Sequence, residues 1–217
     1  MGIRETDAYT MNHEHDFDTR ACRRCNPTAE VKTSWTQCPD CDGWGHTQWA
    51  ALATTPWDEV LPGLWLGGCE YNANLVPDGR SWTNAIVSRN SPFNAVVTMY
   101  AKWQQFGPGD RDGIHHYIYP IQDSVLTQAA IKEAYLAADM AMNHLAEGET
   151  VLVRCQAGLN RSGLVTGLVM IEHLGWPPDE AIAAMRAVRS PWVLCNQDFE
   201  DYLMSIPTPS RARGWGQ

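Results

Sequence analysis

Cys155, Arg161 and Ser162 are the residues whose types and spacing carry the most chemistry in this 217-residue chain. They lie in the run Thr150-Val-Leu-Val-Arg-Cys-Gln-Ala-Gly-Leu-Asn-Arg-Ser-Gly, which ends at Gly163. A short apolar strand, Val151 to Val153, delivers Cys155 into a tight loop that contains Gly158, and an apolar helix-forming segment follows. In such a loop the backbone N–H groups of residues 156–161 turn inward as an anion nest at a helix N-terminus. Arg161 offers two parallel donors to phosphate oxygens. The same positive field favours the nucleophilic thiolate of Cys155 at neutral pH. Together these groups would hold a phosphate dianion against sulfur. A buried structural Cys ahead of a helix is the competing reading; the preceding strand, internal Gly, following Ser-Gly and apolar helix argue against it.

The spacing Cys-x5-Arg-Ser-Gly, with one Gly inside, resembles the signature loop of protein-tyrosine and dual-specificity phosphatases. By that resemblance Cys155 is the nucleophile, and Gln156, Ala157, Gly158, Leu159, Asn160 and Arg161 form the phosphate cradle. Ser162 would hydrogen-bond the sulfur and help it leave in the second step; as a helix-capping residue it could serve both roles. The family's proton donor is an Asp on a loop after a strand, about thirty residues before the cysteine. Gly113-Ile-His-His-Tyr-Ile-Tyr-Pro-Ile-Gln-Asp-Ser matches that strand and loop and places Asp123 32 residues before Cys155 (155 − 123). Asp110 and Asp112, in a Gly/Pro-rich turn ahead of the strand, fit less well. A donor is needed because an alkoxide or phenolate leaves poorly. No metal is needed for catalysis, since Arg161 and the loop amides supply the charge stabilisation.

The resemblance extends over about residues 57–206. Val60-Leu-Pro-Gly-Leu-Trp-Leu-Gly-Gly is similar to the family's opening strand. Val188-Arg189-Ser190-Pro191, followed by Asn196 and Phe199, is similar to its C-terminal Arg-Pro … Pro-Asn-x-x-Phe segment, with Cys195 where Pro is usual. Asn196 is thereby expected to tie the last helix to the phosphate loop. The chain departs from the family at Arg154, where His usually precedes the nucleophile; Arg is always charged and only donates, so the support behind the loop must be built differently. The loop interior (Gln156, Ala157, Leu159, Asn160) is neutral, which favours a monophosphate ester, phosphotyrosine first and phosphoserine or phosphothreonine tolerated. Gly-Leu-Asn-Arg is also similar to loops of RNA 5′-phosphatases of the superfamily, which makes an RNA triphosphatase the alternative enzyme. A catalytically dead phosphate-binding scaffold is the alternative of another class.

The second constellation is N-terminal. Cys22-x2-Cys25 and Cys38-x2-Cys41 are separated by twelve residues, and each pair can bite one metal in a tight turn. Two pairs complete a tetrahedral structural zinc site, with His13, His15 and His46 as alternative ligands. Disulfides are the competing reading, against which a thiol-dependent enzyme argues for a reducing compartment. Residues 1–50 carry five Lys/Arg against eight Asp/Glu, so this is no basic nucleic-acid patch. A protein-docking knuckle held by its metal is expected instead.

These motifs need a scaffold, and the composition allows one. A hydrophobic content of 44% suits a globular core, and a formal charge of −9 disfavours polyanions and anionic membranes. No run approaches about 18 apolar residues and no charged-then-apolar leader opens the chain, so neither a membrane span nor a signal peptide is expected, and the cytoplasm is the default expectation. Strands are expected at 63–67, 93–99, 114–119 and 150–154, with helices at 128–146, 161–174, 178–188 and 196–205. The fold class is α/β: a central mixed, mainly parallel sheet flanked by helices. The division is a flexible 1–12, a zinc element at 13–50, the catalytic domain at 57–206 and a disordered tail at 207–217. His115 and His116 share a strand, and His144 and His173 lie near helix ends, where dipole or capping roles are expected. Cys195 is expected to be a core or cap residue rather than a disulfide partner of Cys155. The protein purified under reducing conditions is expected to carry one zinc per chain, lost in Cys22→Ser; metal analysis with a colorimetric chelator checks this, and a metal-free chain would exclude the site.

Overall fold

A computed structural model describes residue 53 and residues 55–71, 83–100 and 109–207. Cys22, Cys25, Cys38, Cys41, the three alternative histidine ligands and the C-terminal stretch from 208 lie outside the described residues. The strands are β1 (Trp57–Leu61), β2 (Leu64–Gly68), β3 (Glu70–Tyr71), β4 (Thr83–Asn84), β5 (Ala95–Thr98), β6 (Gly109–Arg111), β7 (Ile114–Ile118) and β8 (Val151–Cys155). The helices are α1 (Gln128–Ala146), α2 (Arg161–Leu168), α3 (Pro178–Val188) and α4 (Gln197–Ser205), and α2 continues into a wider π-type segment, Val169–His173.

Six strands form one sheet in the order β1-β2-β8-β5-β7-β6, with β3 and β4 as a separate pair. The four inner strands run parallel and the two edges antiparallel. The sheet is therefore mixed and mainly parallel, as expected. β8 lies between β2 and β5, and every residue of Val-Leu-Val-Arg-Cys is buried, the condition of a strand covered on both faces. Parallel strands all end at one edge of the sheet, where α/β folds bind ligands. Cys155 sits at that edge.

Both edge strands were missed in the sequence, β6 because it has three residues and β1 because Asp58 and Glu59 interrupt any apolar run. β1 and β2 fold back through Pro62-Gly63, with Gly63 at φ 82°. β6 and β7 fold back through Asp112-Gly113, both at positive φ (55° and 78°), the two-residue turn whose twist matches a hairpin. Asp110 and Asp112, read from sequence as turn residues, thus belong to a hairpin that covers the sheet edge. His115 is level with Ala95 and Val151, at the amino ends of the parallel strands. There it pairs with Asp110, and His144 bridges Glu149 and Tyr117. Neither histidine lies at the Cys155 edge.

Side-chain alternation along the strands divides the core. On one face Leu64, Leu66, Ala95, Val97, Val151, Val153 and Cys155 meet the helices. On the other, Val96, Ile114 and Leu152 pack with Val87 and Phe93 under Trp57 and Trp65. α1 presents four fully buried alanines (134, 137, 138, 141) to the sheet. It begins at Thr127, whose side chain accepts from the Ala130 N–H, and gives way to Gly148 at φ 79°. α2 is buried at every residue, which a helix tolerates only when apolar or internally satisfied all round. Among the described residues no helix is long and apolar enough to cross a membrane.

Candidate active site

The loop 155–160 has all six of its carbonyls turned outward and occupied. Cys69 N–H donates to the Cys155 carbonyl (2.8 Å) and Glu70 N–H to that of Gln156 (3.0 Å). Arg189 donates from Nη2 to the Ala157 carbonyl (3.3 Å) and from Nε to that of Gly158 (3.4 Å). Leu194 N–H reaches the Leu159 carbonyl (3.2 Å), and Leu164 N–H reaches that of Asn160 (2.8 Å). In a trans peptide the C=O of one residue and the N–H of the next point in opposite directions. With the carbonyls anchored outside, the N–H groups of 156–161 face the loop interior, an arrangement that receives an anion.

Glycines make that wrapping possible. Gly158 has φ 73°, and a Cβ there would sit 2.4 Å from the Gly67 backbone. A Cβ on Gly68 would come within 2.7 Å of Gln156 and Ala157 backbone atoms. The Leu-Gly-Gly end of β2 and the loop glycine interlock, so the opening-strand motif and the loop motif are two halves of one contact.

Cys155 is buried, with its Sγ 3.2 Å from Ser162 Oγ. Arg161 opens α2 with its guanidinium stacked on Tyr100, 4.7 Å from the ring centroid. Its Nε lies 3.7 Å from Asp123 Oδ2 and is a buried donor without a hydrogen-bond partner among the described residues. Asp123 comes to the same edge from the loop after β7. Its Oδ2 accepts from Asn160 Nδ2 (3.2 Å) and its Oδ1 from Asn196 Nδ2 (3.1 Å). Asn196 caps α4, its Oδ1 accepting from Asp198 N–H. Cys155, the loop, Arg161, Ser162, Asp123 and Asn196, scattered over 74 residues of sequence (123 to 196), are thus brought together.

Arg154 lies apart. Alternation along β8 sends it to the face opposite Cys155, where it is buried and donates from Nε to Thr98 Oγ1 (3.1 Å). It thus lies on the opposite face of the sheet from the Cys155 side chain. Cys195 is buried and donates its thiol to Asn160 Oδ1 (3.3 Å). Gln156 turns its amide to Glu70 Oε2 (3.1 Å).

Three contributors were not legible in sequence. Arg189 was noticed only as part of a C-terminal pattern. Its side chain is fully buried, and besides the two loop carbonyls it donates from Nη1 to the Thr55 carbonyl and to Asp58 Oδ2, both at 2.7 Å. The guanidinium thus stitches β1 to the back of the loop. Glu70 had no signal at all, as a lone acid after a Gly-Gly pair. Its burial raises its carboxyl above the usual 4.5, opposed by the Gln156 hydrogen bond and the Arg161 charge. Cys69 is pushed up to about 11, chiefly by burial and further by Cys155 and Glu70, against Arg154 and Arg161. At neutral pH it is a thiol, distinct from a nucleophile.

A family model for the dual specificity phosphatase catalytic domain matches residues 87–208. The chain is 28% identical to dual specificity protein phosphatase 2 of Mus musculus over 156 residues, 69% of this chain and 42% of that protein. It is 22% identical to phosphatidylglycerophosphate phosphatase PTPMT2 of Arabidopsis thaliana over 135 residues, 61% of this chain and 55% of that one. The chain spans about half the length of these curated relatives. Among solved structures, Tk-PTP in the active form superposes with a TM-score of 0.50 at 19% identity, over 68% of this chain and 93% of that one, a likeness of fold.

Removing the Arg189 guanidinium orphans two loop carbonyls and unpairs Asp58. Arg189→Met is expected to cost about 3 kcal/mol in urea unfolding, and a loss under about 1 kcal/mol would contradict the anchoring role. Glu70 carries the opposite expectation. Its folded-state carboxyl is raised, so the protonated form is the favoured one, and stability is lost as pH rises through that value. Glu70→Gln keeps the acceptor for Gln156 and is expected to melt higher than the parent at pH 7, with the gap closing below pH 4.5. Thermal scans across that range check it, and a gap that widens on acidification would contradict it.

Proposed function

The chain belongs to the dual specificity phosphatase family through its catalytic domain, and from that premise we propose that it is a cysteine-dependent phosphomonoester hydrolase. The observation that carries the reading is the loop whose six carbonyls are held outward around Cys155, closed by the buried Arg161 at the start of α2. Such a loop supplies fixed dipoles where charge develops and needs little reorganisation as the reaction proceeds.

In the first step Cys155 Sγ attacks phosphorus in line with the ester oxygen. A sulfur–phosphorus bond forms as the phosphorus–oxygen bond breaks. The electron pair leaves with the oxygen, and Asp123 hands that oxygen its proton. Arg161 and the loop N–H groups hold the equatorial oxygens throughout. In the second step Asp123, now a carboxylate, takes a proton from water as the water oxygen attacks the cysteinyl-phosphate. Inorganic phosphate departs and the electron pair returns to sulfur, where Ser162 Oγ, 3.2 Å away, donates to the leaving thiolate. Asn196 acts by holding Asp123, and Arg154 supports the strand end.

The neutral loop interior supports a single phosphate on an uncharged scaffold, with phosphotyrosine first and phosphoserine or phosphothreonine tolerated. A lipid phosphomonoester is the second reading, supported by the likeness to a phosphatidylglycerophosphate phosphatase; the chain's formal charge of −9 weighs against an anionic membrane surface. The N-terminal cysteines would hold a structural zinc apart from the chemistry.

The test is turnover of p-nitrophenyl phosphate and of a phosphotyrosyl peptide by the reduced protein. Cys155→Ser is expected to abolish both, and Asp123→Ala to slow the peptide reaction by about 100-fold or more. Turnover surviving in Cys155→Ser, or a folded protein inert on both substrates between pH 5 and 8, would overturn the reading. Preference for a phosphatidylglycerophosphate vesicle over the peptide would select the lipid reading.

A further inference from the structure

Asn160 occupies the N-cap position of α2, a place where Asn ordinarily folds its side chain back onto the first helical N–H groups. Here it makes no such bond. The side chain is buried instead between three other groups. Its Oδ1 accepts from Asn196 N–H (3.0 Å) and from the Cys195 thiol (3.3 Å), and its Nδ2 donates to Asp123 Oδ2 (3.2 Å).

The orientation of this amide is settled by chemistry. A backbone N–H can only donate, so the atom facing Asn196 N must be the amide oxygen, and the NH2 is left for Asp123. The same reasoning fixes Asn196. Its oxygen faces the Asp198 N–H, so its NH2 points to Asp123 Oδ1 and to the Ser124 carbonyl (3.2 Å). Two amides with unambiguous orientation therefore grip the two oxygens of one carboxylate, and one of those amides belongs to the phosphate loop itself.

We propose that the Asn160 side chain is a positioning residue for Asp123: it docks the proton-donor loop directly onto the phosphate loop, so that one side chain sets where the acid stands relative to the bound phosphate. The inference rests on the reading of Asp123 as the proton donor. Asn160 forgoes a helix cap worth about 1 kcal/mol to make this contact. Arg161 does not replace it, since its Nε stands off at 3.7 Å from the same oxygen. The coupling is local: Asn160 adjoins Arg161 in sequence, so any shift of the loop around the anion moves the grip on Asp123 with it.

Leaving groups of different basicity separate positioning of the acid from general damage to the loop. 2,4-Dinitrophenolate departs without a proton, whereas phenolate needs one. The wild type, Asp123→Ala and Asn160→Ala would be assayed on phenyl phosphate and on 2,4-dinitrophenyl phosphate, with the double variant Asn160→Ala/Asp123→Ala. Weakened phosphate binding affects both substrates alike and cancels in the ratio of rates. Asn160→Ala is expected to lose at least tenfold more rate on phenyl phosphate than on the dinitrophenyl ester, and the double variant to discriminate no more than Asp123→Ala alone. Equal losses on both substrates, or additive discrimination in the double variant, would overturn the proposal while leaving Asp123 in place. An Asp123→Ala enzyme with no leaving-group dependence would instead remove the proton-donor reading, and this inference with it.

Discussion

The site depends on keeping six consecutive carbonyls pointing away from the sulfur. A buried backbone carbonyl must find a donor, and in this protein the donors come from the end of β2, from the segment after α3 and from α2. Once those bonds are made, peptide planarity leaves the N–H groups no choice but to face inward. The anion nest is therefore less a property of the loop than of the structure around it. Arg189 is the extreme case, because one guanidinium serves two loop carbonyls, the Thr55 carbonyl and the Asp58 carboxylate.

That dependence explains several features that have no direct chemistry. Of the two glycines ending β2, Gly68 leaves no room for a Cβ because the loop backbone at Gln156 and Ala157 passes against it, and Gly67 because Trp57 and the Pro56 carbonyl do. β1 matters because Asp58 neutralises a fully buried arginine. α2 must be buried at all its residues because its N-terminus closes the loop. Its Gly167 lets Leu203 of α4 approach closely, with a hypothetical Cβ only 2.5 Å away. Burial of the helix then fixes α4, and α4 is capped by the same Asn196 that holds Asp123. Packing and chemistry share residues here.

Charge is distributed around the site with the same economy. Cys155 faces the core shared with the helices, while Arg154, one residue earlier, is turned by strand alternation to the other face and bonded to Thr98. A charged residue at that position is therefore compatible with the loop, since it neither enters the nest nor displaces an anchoring donor. Glu70 and Cys69 follow β2 and give their backbone N–H groups to the loop, while burial disfavours the charged form of both side chains. For Cys69, pushed up to about 11, that leaves a neutral thiol beside the loop at neutral pH.

The Cys-x5-Arg-Ser-Gly run, the short apolar runs of β5 and β8 and the alanine-rich period of α1 were legible in sequence because each is a local pattern. Helix bounds at 128–146 and 178–188 agree with the structure for the same reason: Thr127, Gly148 and Pro177-Pro178 are local stop and start signals. β6 escaped because a three-residue edge strand carries no period, although Asp112-Gly113 marked its turn. The partners of Asp123, the anchoring by Arg189 and the place of Glu70 could not be read, because each is a meeting of residues far apart in the chain. The sequence by itself determined that a thiol, a guanidinium and a hydroxyl stand in one glycine-containing loop, since that follows from residue type and local spacing, whereas Asp123 was singled out only through the family resemblance. Tertiary structure alone decided which way the loop carbonyls turn, which amides grip the acid and on which side Arg154 lies. Those depend on which distant backbone donors and strand faces the fold brings against fourteen residues of loop and flank (150–163).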